Sequence, residues 1–427
     1  MINSIRQARG IKRTITVKGD KSISHRGLLL GAIAEGNTRI YNLSSSADVM
    51  NTLDCLRQLN VAINKHSNFW EISGNGLYGF KVSPTPLDCG NSGTTMRLLP
   101  GILAAQPFTS TLIGDESLGK RPMGRIIEPL TQMGAKIDSQ PGGLAPLQIH
   151  GNQLNPIHYI SSVASAQVKS CILLAGLYAQ GMTTVIEPHL SRDHTERMLT
   201  DFGIFVKKNG LAISIEGQQA LHGCKINVPG DFSSAAFFIS AALIVPNSEL
   251  KIKNICLNPT RTGLLEVLNQ MGAEIEIQKY EEKHSEPIGE ITVFTSQLNG
   301  VEIPPELVPK LIDEVPILAI IATQASGTTK LTGAKELRVK ESDRLHAIAN
   351  NFSLMGIQIE EKKDGFIIKG PQKIKGTVVD SYGDHRIAMA FAIAGLIAEG
   401  ETQLKNAECV KISMPDFFEI LQGIVIE

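Results

Sequence analysis

One phrase recurs along this chain in six copies, and it constrains the fold more than any other feature. "LRQLNVAI" (56–63), "LTQMGAKI" (130–137), "LTDFGIFV" (199–206), "LNQMGAEI" (268–275) and "FSLMGIQI" (352–359) share one order. Each has an apolar residue, a Met or similar residue three on, a Gly in most copies, and then the start of a strand. "FFEILQGIVI" (417–426) reads as a sixth copy that ends with the chain. The pattern predicts a helix stopped by a left-handed cap, followed by a strand.

A second phrase lies about one strand and one helix upstream of each copy. "GNTRIYNL", "FTSTLIGD", "GMTTVIEP", "NSELKIKN", "GTTKLTGA" and "GETQLKNA" alternate polar and apolar residues as half-buried strands do. Ahead of these lie "RGLLLGAIA", "MRLLPGILAA", "VKSCILLAGLYA", "AAFFISAALIV", "VPILAIIAT" and "RIAMAFAIAGLIA". These six segments are apolar on most faces, so they are expected to be interior helices. A spacing of roughly 70 residues implies a repeat whose unit is interior helix, strand, outer helix and two strands. Three units could enclose three buried helices behind sheets, twice over. The 427 residues also exceed one ordinary core and favour two domains of about 200 residues each.

The residues that open the interior helices carry the first hint of function. They are Lys21-Ser22, Asn91-Ser92-Gly93-Thr94, Ser165-Ala166-Gln167, Asp231-Phe232-Ser233-Ser234, Asp313-Glu314 and Asp384-His385-Arg386. A Ser or Asp at one such place is an ordinary N-cap. That does not account for Lys21, Arg26, Arg97, His385 and Arg386, because cations are disfavoured at the positive end of a helix dipole. Converging helix starts plus cations make an anion receptor. With 41 basic against 42 acidic residues the chain as a whole favours neither nucleic acid nor a membrane surface, so the receptor must be local.

Other readings weaken on inspection. "GDKS" lacks the first Gly of a P-loop at the right offset, and ten histidines contain no H-E-x-x-H pair. No G-x-S-x-G turn supports an acyl-enzyme. "DESLGKRPMGR" (115–125) holds Lys120, Arg121 and Arg125, where a solvated run competes with a side chain positioned by Pro122. In "ELRVKESDRLHAI" (336–348) the spacing predicts Lys340 and Arg344 on one helix face. The N-terminus "MINSIRQARGIKR" has no apolar run behind its charges, which argues against a secretory signal. No apolar stretch approaches the ~18 residues of a membrane span. Six scattered cysteines without a C-x-x-C pair predict reduced thiols in a cytoplasmic protein.

With these residues in view, the chain resembles the 5-enolpyruvylshikimate-3-phosphate synthase family of the shikimate pathway. The likeness runs nearly end to end, through "GDKSISHR", "GNSGTTMRLL", "KRPMGR", "SSVASAQVKS", "SRDHTERML", "LRVKESDRL", "GDHRIAMAF" and "PDFF". It implies an α/β fold of two similar domains, 20–228 and 1–19 plus 229–427. Each would hold three βαβαββ repeats around buried parallel helices, an inside-out α/β barrel, with the active site in the interdomain cleft. The reaction implied is transfer of the enolpyruvyl group of phosphoenolpyruvate to the 5-hydroxyl of shikimate 3-phosphate, with release of phosphate. No metal or organic cofactor is implied, and the expected form is a cytoplasmic monomer acting on small molecules, without nucleic acid or membrane partners.

Residue by residue, Lys21 resembles the lysine that touches both substrates. Ser22, Arg26, Ser165, Ala166 (through its backbone), Gln167, Arg192 and Lys340 match the shikimate 3-phosphate site, which the first domain mainly supplies. Gly93, Arg121, Arg344 and Arg386 match the phosphoenolpyruvate site, with Gln167 near both. Asp313 would accept the hydroxyl proton, Glu341 would protonate the methylene carbon, and His385 would steady developing charge. Lys411 stands one position earlier than the last lysine of the best-known members, and Gly93 is kept where some variants carry Ala and exclude the inhibitor glyphosate. UDP-N-acetylglucosamine enolpyruvyl transferases share fold and donor but place a reactive Cys in the loop matching 114–125, where this chain has none. A phospholigand-binding protein without turnover would keep the cations but not Asp313 and Glu341, and an RNA 3′-phosphate cyclase of related fold would need ATP.

Overall fold

A computed structural model of the protein describes residues 2–280 and 286–426. The chain divides into two compact units. The first is Gly19–Pro229 with the short segment that ends at Glu286; the second takes the chain up to Lys18 and the rest from Gly230 onward.

In the first unit three four-stranded sheets repeat one topology. The sheets run Lys225–Asn227, Glu35–Tyr41, Phe69–Asn75, Ala62–Lys65; then Leu87–Asp88, Thr109–Ile113, Leu144–His150, Lys136–Gln140; then His158–Ile160, Met182–Ile186, Ala212–Glu216, Val206–Asn209. In each, the first strand is parallel to the second, and the remaining neighbours are antiparallel. The interior helices Lys21–Ile33, Gly93–Leu103 and Ala166–Gly176 are buried over most of their length.

The second unit repeats the plan with Gly10–Thr16, Glu249–Cys256, Ile288–Phe294, Ile275–Lys279 and with Glu302–Ile303, Gly327–Leu331, Gly365–Gly370, Glu360–Lys362. Its third sheet is Val378–Asp380, Thr402–Lys405 and the N-terminal strand Ile2–Ile5. The interior helices are Phe232–Ile244, Val315–Ala322 and His385–Gly395. Phe237 and Phe238 of the first of these pack on Phe417, with ring centroids 6.1 and 5.5 Å apart, so "PDFF" contributes to a core. The α/β repeat plan read from the sequence therefore stands, with the strands among the described residues forming six separate sheets that do not close into a barrel.

The chain exchanges strands between units. Gly10–Thr16 precedes the first interior helix yet pairs with Glu249–Cys256, and Lys225–Asn227 precedes the fourth yet pairs with Glu35–Tyr41. Each change of unit thus falls between a strand and the interior helix that follows it. At the first of them, a Cβ on Gly19 would lie 1.9 Å from the Asn42 carbonyl oxygen, so no larger residue can pass there.

Five copies of the recurring phrase end as expected, with positive φ at Asn60 (66°), Gly134 (98°), Gly203 (90°), Gly272 (85°) and Gly356 (76°). The sixth departs. Gly423 lies inside the helix Phe417–Ile424, and Val425–Ile426 follows directly to pair with Gly10 and Ile11. Five interior helices are capped by side chains, those of Asp20, Ser92, Ser165, Asp231 and Asp384. Among the described residues no helix is long and apolar enough to cross a membrane, and all six cysteines are free.

Candidate active site

In the first unit, side chains tie the starts of the three interior helices together. Lys21 Nζ pairs with Asp48 Oδ2 at 2.7 Å. Arg26, only 4% exposed, donates through Nε to Thr195 Oγ1 (2.6 Å), through Nη2 to Ser170 Oγ (2.8 Å) and through Nη1 to the Ser22 carbonyl (2.9 Å). Burial pulls its proton affinity down to about 10, while Glu196 and Asp20 pull it back and Arg192 adds repulsion. Arg97 Nη1 donates to Gln167 Oε1 (2.9 Å), and Gln167 Nε2 donates to Thr94 Oγ1 (3.1 Å). Gly93 opens the second helix just beside these groups: a Cβ there would lie 2.9 Å from Arg97 Nη1 and 3.4 Å from Arg121 Nη1.

The run 115–125 separates into its parts. Arg121 is buried and donates to Asn91 Oδ1 (3.0 Å) and Ser117 Oγ (3.2 Å). Lys120 is an exposed ion pair with Glu116 (2.7 Å), and Arg125 is exposed. Of the three, the middle cation is the buried one.

A hydroxyl chain stiffens the same end. Thr95 Oγ1 donates to Ser92 Oγ (2.7 Å), so the 2.5 Å contact of Thr52 with Thr95 must use the Thr52 proton. His25 Nδ1 then donates to Thr52 Oγ1 (2.7 Å), which makes His25 the neutral Nδ1–H tautomer. Burial drives its pKa down to about 3; Asp48 opposes this, and Lys21 and Arg26 reinforce it.

The second unit also joins its three interior helix starts, but with carboxylates in excess. Arg344, 1% exposed, reaches Asp384 Oδ2 through Nε (2.7 Å), Glu341 Oε2 through Nη2 (2.5 Å) and Asp313 Oδ1 through Nη1 (3.5 Å). Burial disfavours its charge, yet Asp384, Glu341 and Asp313 outweigh that and hold its proton more tightly than usual. Arg386 lies 3.5 Å from Asp313 Oδ2 and donates to the Asp313 carbonyl (3.2 Å). Arg261, equally buried, bridges Asp231 (3.2 Å) and Glu314 (3.5 Å), and Ser233 Oγ donates to Glu314. Three guanidiniums thus face five carboxylates. Removing any one partner from such a buried set costs about 3–5 kcal/mol.

One expectation is corrected. Lys340 and Arg344 do not share a helix face: Asp343 caps at the His346 amide, the helix begins at Arg344, and Lys340 is extended (φ −82°, ψ −153°). His385 is fully buried as the first residue of its helix. Lys411 is exposed in the turn Ala407–Ile412, where its charge acts on Glu408. Ser165 caps its helix at the Val168 amide, Ala166 opens that helix, and Arg192 is half-buried. Sequence reasoning missed Asp48, Lys169, Glu187, Glu196 and Arg261. Lys169 had a signal: a lysine inside an otherwise apolar interior helix needs buried carboxylates. Among the described residues no group of three His, Cys, Asp or Glu is placed to hold a metal ion.

The chain has relatives over nearly its whole length. Residues 5–421 match the family described as EPSP synthase (3-phosphoshikimate 1-carboxyvinyltransferase). A curated protein of Bacillus cytotoxicus named 3-phosphoshikimate 1-carboxyvinyltransferase is 50% identical over 99% of this chain and 100% of its own. One of the same name from Carboxydothermus hydrogenoformans is 53% identical, over 97% and 96%. The solved EPSP synthase of Acinetobacter baumannii superposes with a TM-score of 0.89 at 44% identity, covering 100% of this chain and 98% of that one. The enolpyruvyl transferase NikO of Streptomyces tendae (TM-score 0.80, covering 99% and 97%) is 16% identical, a likeness of fold alone.

Proposed function

Because the chain belongs to the EPSP synthase family, the 3-phosphoshikimate 1-carboxyvinyltransferases, we propose that its two clusters divide the work of one reaction. The enzyme transfers the enolpyruvyl group of phosphoenolpyruvate to the 5-hydroxyl of shikimate 3-phosphate and releases phosphate, on the route to chorismate and the aromatic amino acids. The contrast in charge between the clusters carries the assignment of roles. The first unit offers Lys21, Arg26, Arg97 and Arg121 among hydroxyls and helix starts, the chemistry of an anion receptor. The second sets Asp313 and Glu341 against Arg344, the pairing that proton transfer beside an anion requires.

Shikimate 3-phosphate is bound by Ser22, Arg26, Ser165, the Ala166 amide, Gln167 and Arg192, with Lys340 from the second unit. Phosphoenolpyruvate takes Gly93, Arg121, Arg344 and Arg386, and Lys21 and Gln167 serve both substrates. Lys411, exposed on its turn, completes the set of substrate-binding residues. Asp313 accepts the proton of the 5-hydroxyl, and its two arginines hold the carboxylate in place. Glu341 delivers a proton to the methylene carbon. For that, its contact with Arg344 must be exchanged for the substrate's anionic groups, which need the same guanidinium. Protonation leaves an oxocarbenium-like centre, the hydroxyl attacks it, and the tetrahedral intermediate loses phosphate together with a proton of its methyl group, which restores the carbon–carbon double bond. His385 steadies the charge that develops. Six free thiols fit a cytoplasmic setting, and we place the enzyme there as a monomer.

A phosphate-release assay tests this reading. Phosphate should leave phosphoenolpyruvate only when shikimate 3-phosphate is present, without ATP or divalent metal. Equal turnover with a UDP-sugar acceptor would sink it.

A further inference from the structure

Lys169 is the fourth residue of the interior helix Ala166–Gly176, with its side chain wholly excluded from water. Its ammonium lies 2.8 Å from Glu187 Oε2 and 2.7 Å from Glu196 Oε1. Burial weakens its hold on the proton, but Glu196 and Glu187 more than reverse that. A buried ion triad seldom repays its desolvation as stability, so its geometry matters more than its energy.

That geometry touches both candidate phosphate-site arginines. Lys169 precedes Ser170, and Glu196 follows Thr195; Ser170 Oγ and Thr195 Oγ1 are the two hydroxyls that receive Arg26, and they lie 2.6 Å from each other. The Lys169–Glu196 pair therefore sets the separation between the interior helix Ala166–Gly176 and the outer helix His194–Asp201 at the point where both grip Arg26. Glu187 Oε2 also accepts from the Ser191 amide (3.4 Å), which pins the loop one residue before Arg192. One ammonium thus anchors the supports of two guanidiniums that arise from different elements.

We propose that Lys169 is a positioning residue for the reaction: through Glu196 and Glu187 it fixes the spacing and aim of Arg26 and Arg192, and so sets affinity for the phosphorylated acceptor. It touches no substrate itself. The inference rests on the reading that Arg26 and Arg192 bind shikimate 3-phosphate.

The test compares Michaelis constants for the two substrates. Lys169→Met keeps length and removes the charge; it should raise KM for shikimate 3-phosphate about 10- to 100-fold, with KM for phosphoenolpyruvate and kcat within about threefold. Because that variant strands two carboxylates, the neutral triple variant Lys169→Met, Glu187→Gln, Glu196→Gln is made beside it. The triple variant should regain thermal stability yet keep the raised acceptor KM. A folded variant of either kind with an unchanged acceptor KM overturns the proposal, as does a parallel rise in both constants. Arg26→Ala and Arg192→Ala separate the two levels: if they too leave acceptor KM unchanged, the binding assignment has failed, and if only they raise it, Lys169 alone is excluded.

Discussion

Replacing Gly93 by Ala perturbs the donor site through a single methyl. A Cβ at this position would lie 2.9 Å from Arg97 Nη1 and 3.4 Å from Arg121 Nη1. Restoring ordinary contact to Arg97 needs a movement of about 0.5 Å (3.4 − 2.9). Directed away from the methyl, that shift would stretch the 2.9 Å bond to Gln167 to about 3.4 Å, the edge of a hydrogen bond. The atom that must yield, Arg97 Nη1, is the tip of a long side chain, and Arg121 Nη1 already stands at an ordinary contact distance, so the backbone is spared. Gly93 is the first residue of its helix with no left-handed φ, where Ala typically gains about 0.4–1 kcal/mol. Misaligning one guanidinium toward a bound anion forfeits about 1.5–3 kcal/mol. The expected outcome is a KM for phosphoenolpyruvate raised about 10- to 100-fold, weaker glyphosate binding if that inhibitor binds, an acceptor KM that rises far less because Gln167 keeps its bond to Thr94, and a thermal midpoint within about 3 °C of the parent. Phosphate release with each substrate varied in turn, beside a thermal scan, reads all of these. Equal rises in both Michaelis constants, or a collapsed midpoint with normal KM values, would show that the turn is only structural and refute the steric argument.

Two further outcomes follow from the same geometry. Asp313→Asn and Glu341→Gln keep shape but cannot relay a proton, so each should slow the chemical step about 10²- to 10⁴-fold, while acceptor affinity measured by calorimetry stays near that of the parent; normal turnover in either removes that residue from the mechanism. His25 should make stability fall with acid: its folded pKa near 3 lies below the ordinary 6.5, so between these values only the unfolded chain takes up the proton, and stability drops by about 1.4 kcal/mol per pH unit below 6.5. Urea midpoints at pH 7 and 5.5 should show a shallower acid slope in His25→Asn, and identical slopes would dismiss the assignment.

Periodic features were legible in the sequence because they are local. Helix and strand periods, the left-handed caps from Asn60 to Gly356 and the five side-chain caps are all set within a few residues, so six repeats could be counted without coordinates. Part of the motif set was legible for a related reason: Lys21 and Arg386 stand at helix starts, and a cation at the positive end of a helix dipole is out of place unless an anion explains it, whereas Arg121, Arg192 and Glu341 were placed in the set only by the resemblance to a known family. Tertiary structure alone decided the partners. Asp48 lies 27 residues from Lys21, Thr195 lies 169 from Arg26 and Asp384 lies 40 from Arg344, and no spacing rule joins residues so far apart. It also decided which of Lys120, Arg121 and Arg125 is buried, where the helix at Arg344 begins, and that Ile2–Ile5 and Val425–Ile426 complete sheets begun elsewhere in the chain. The repeat specifies each element's local shape, but pairing and burial depend on which surfaces meet, and a buried charge such as Lys169 becomes intelligible only when the carboxylates that balance it are in place.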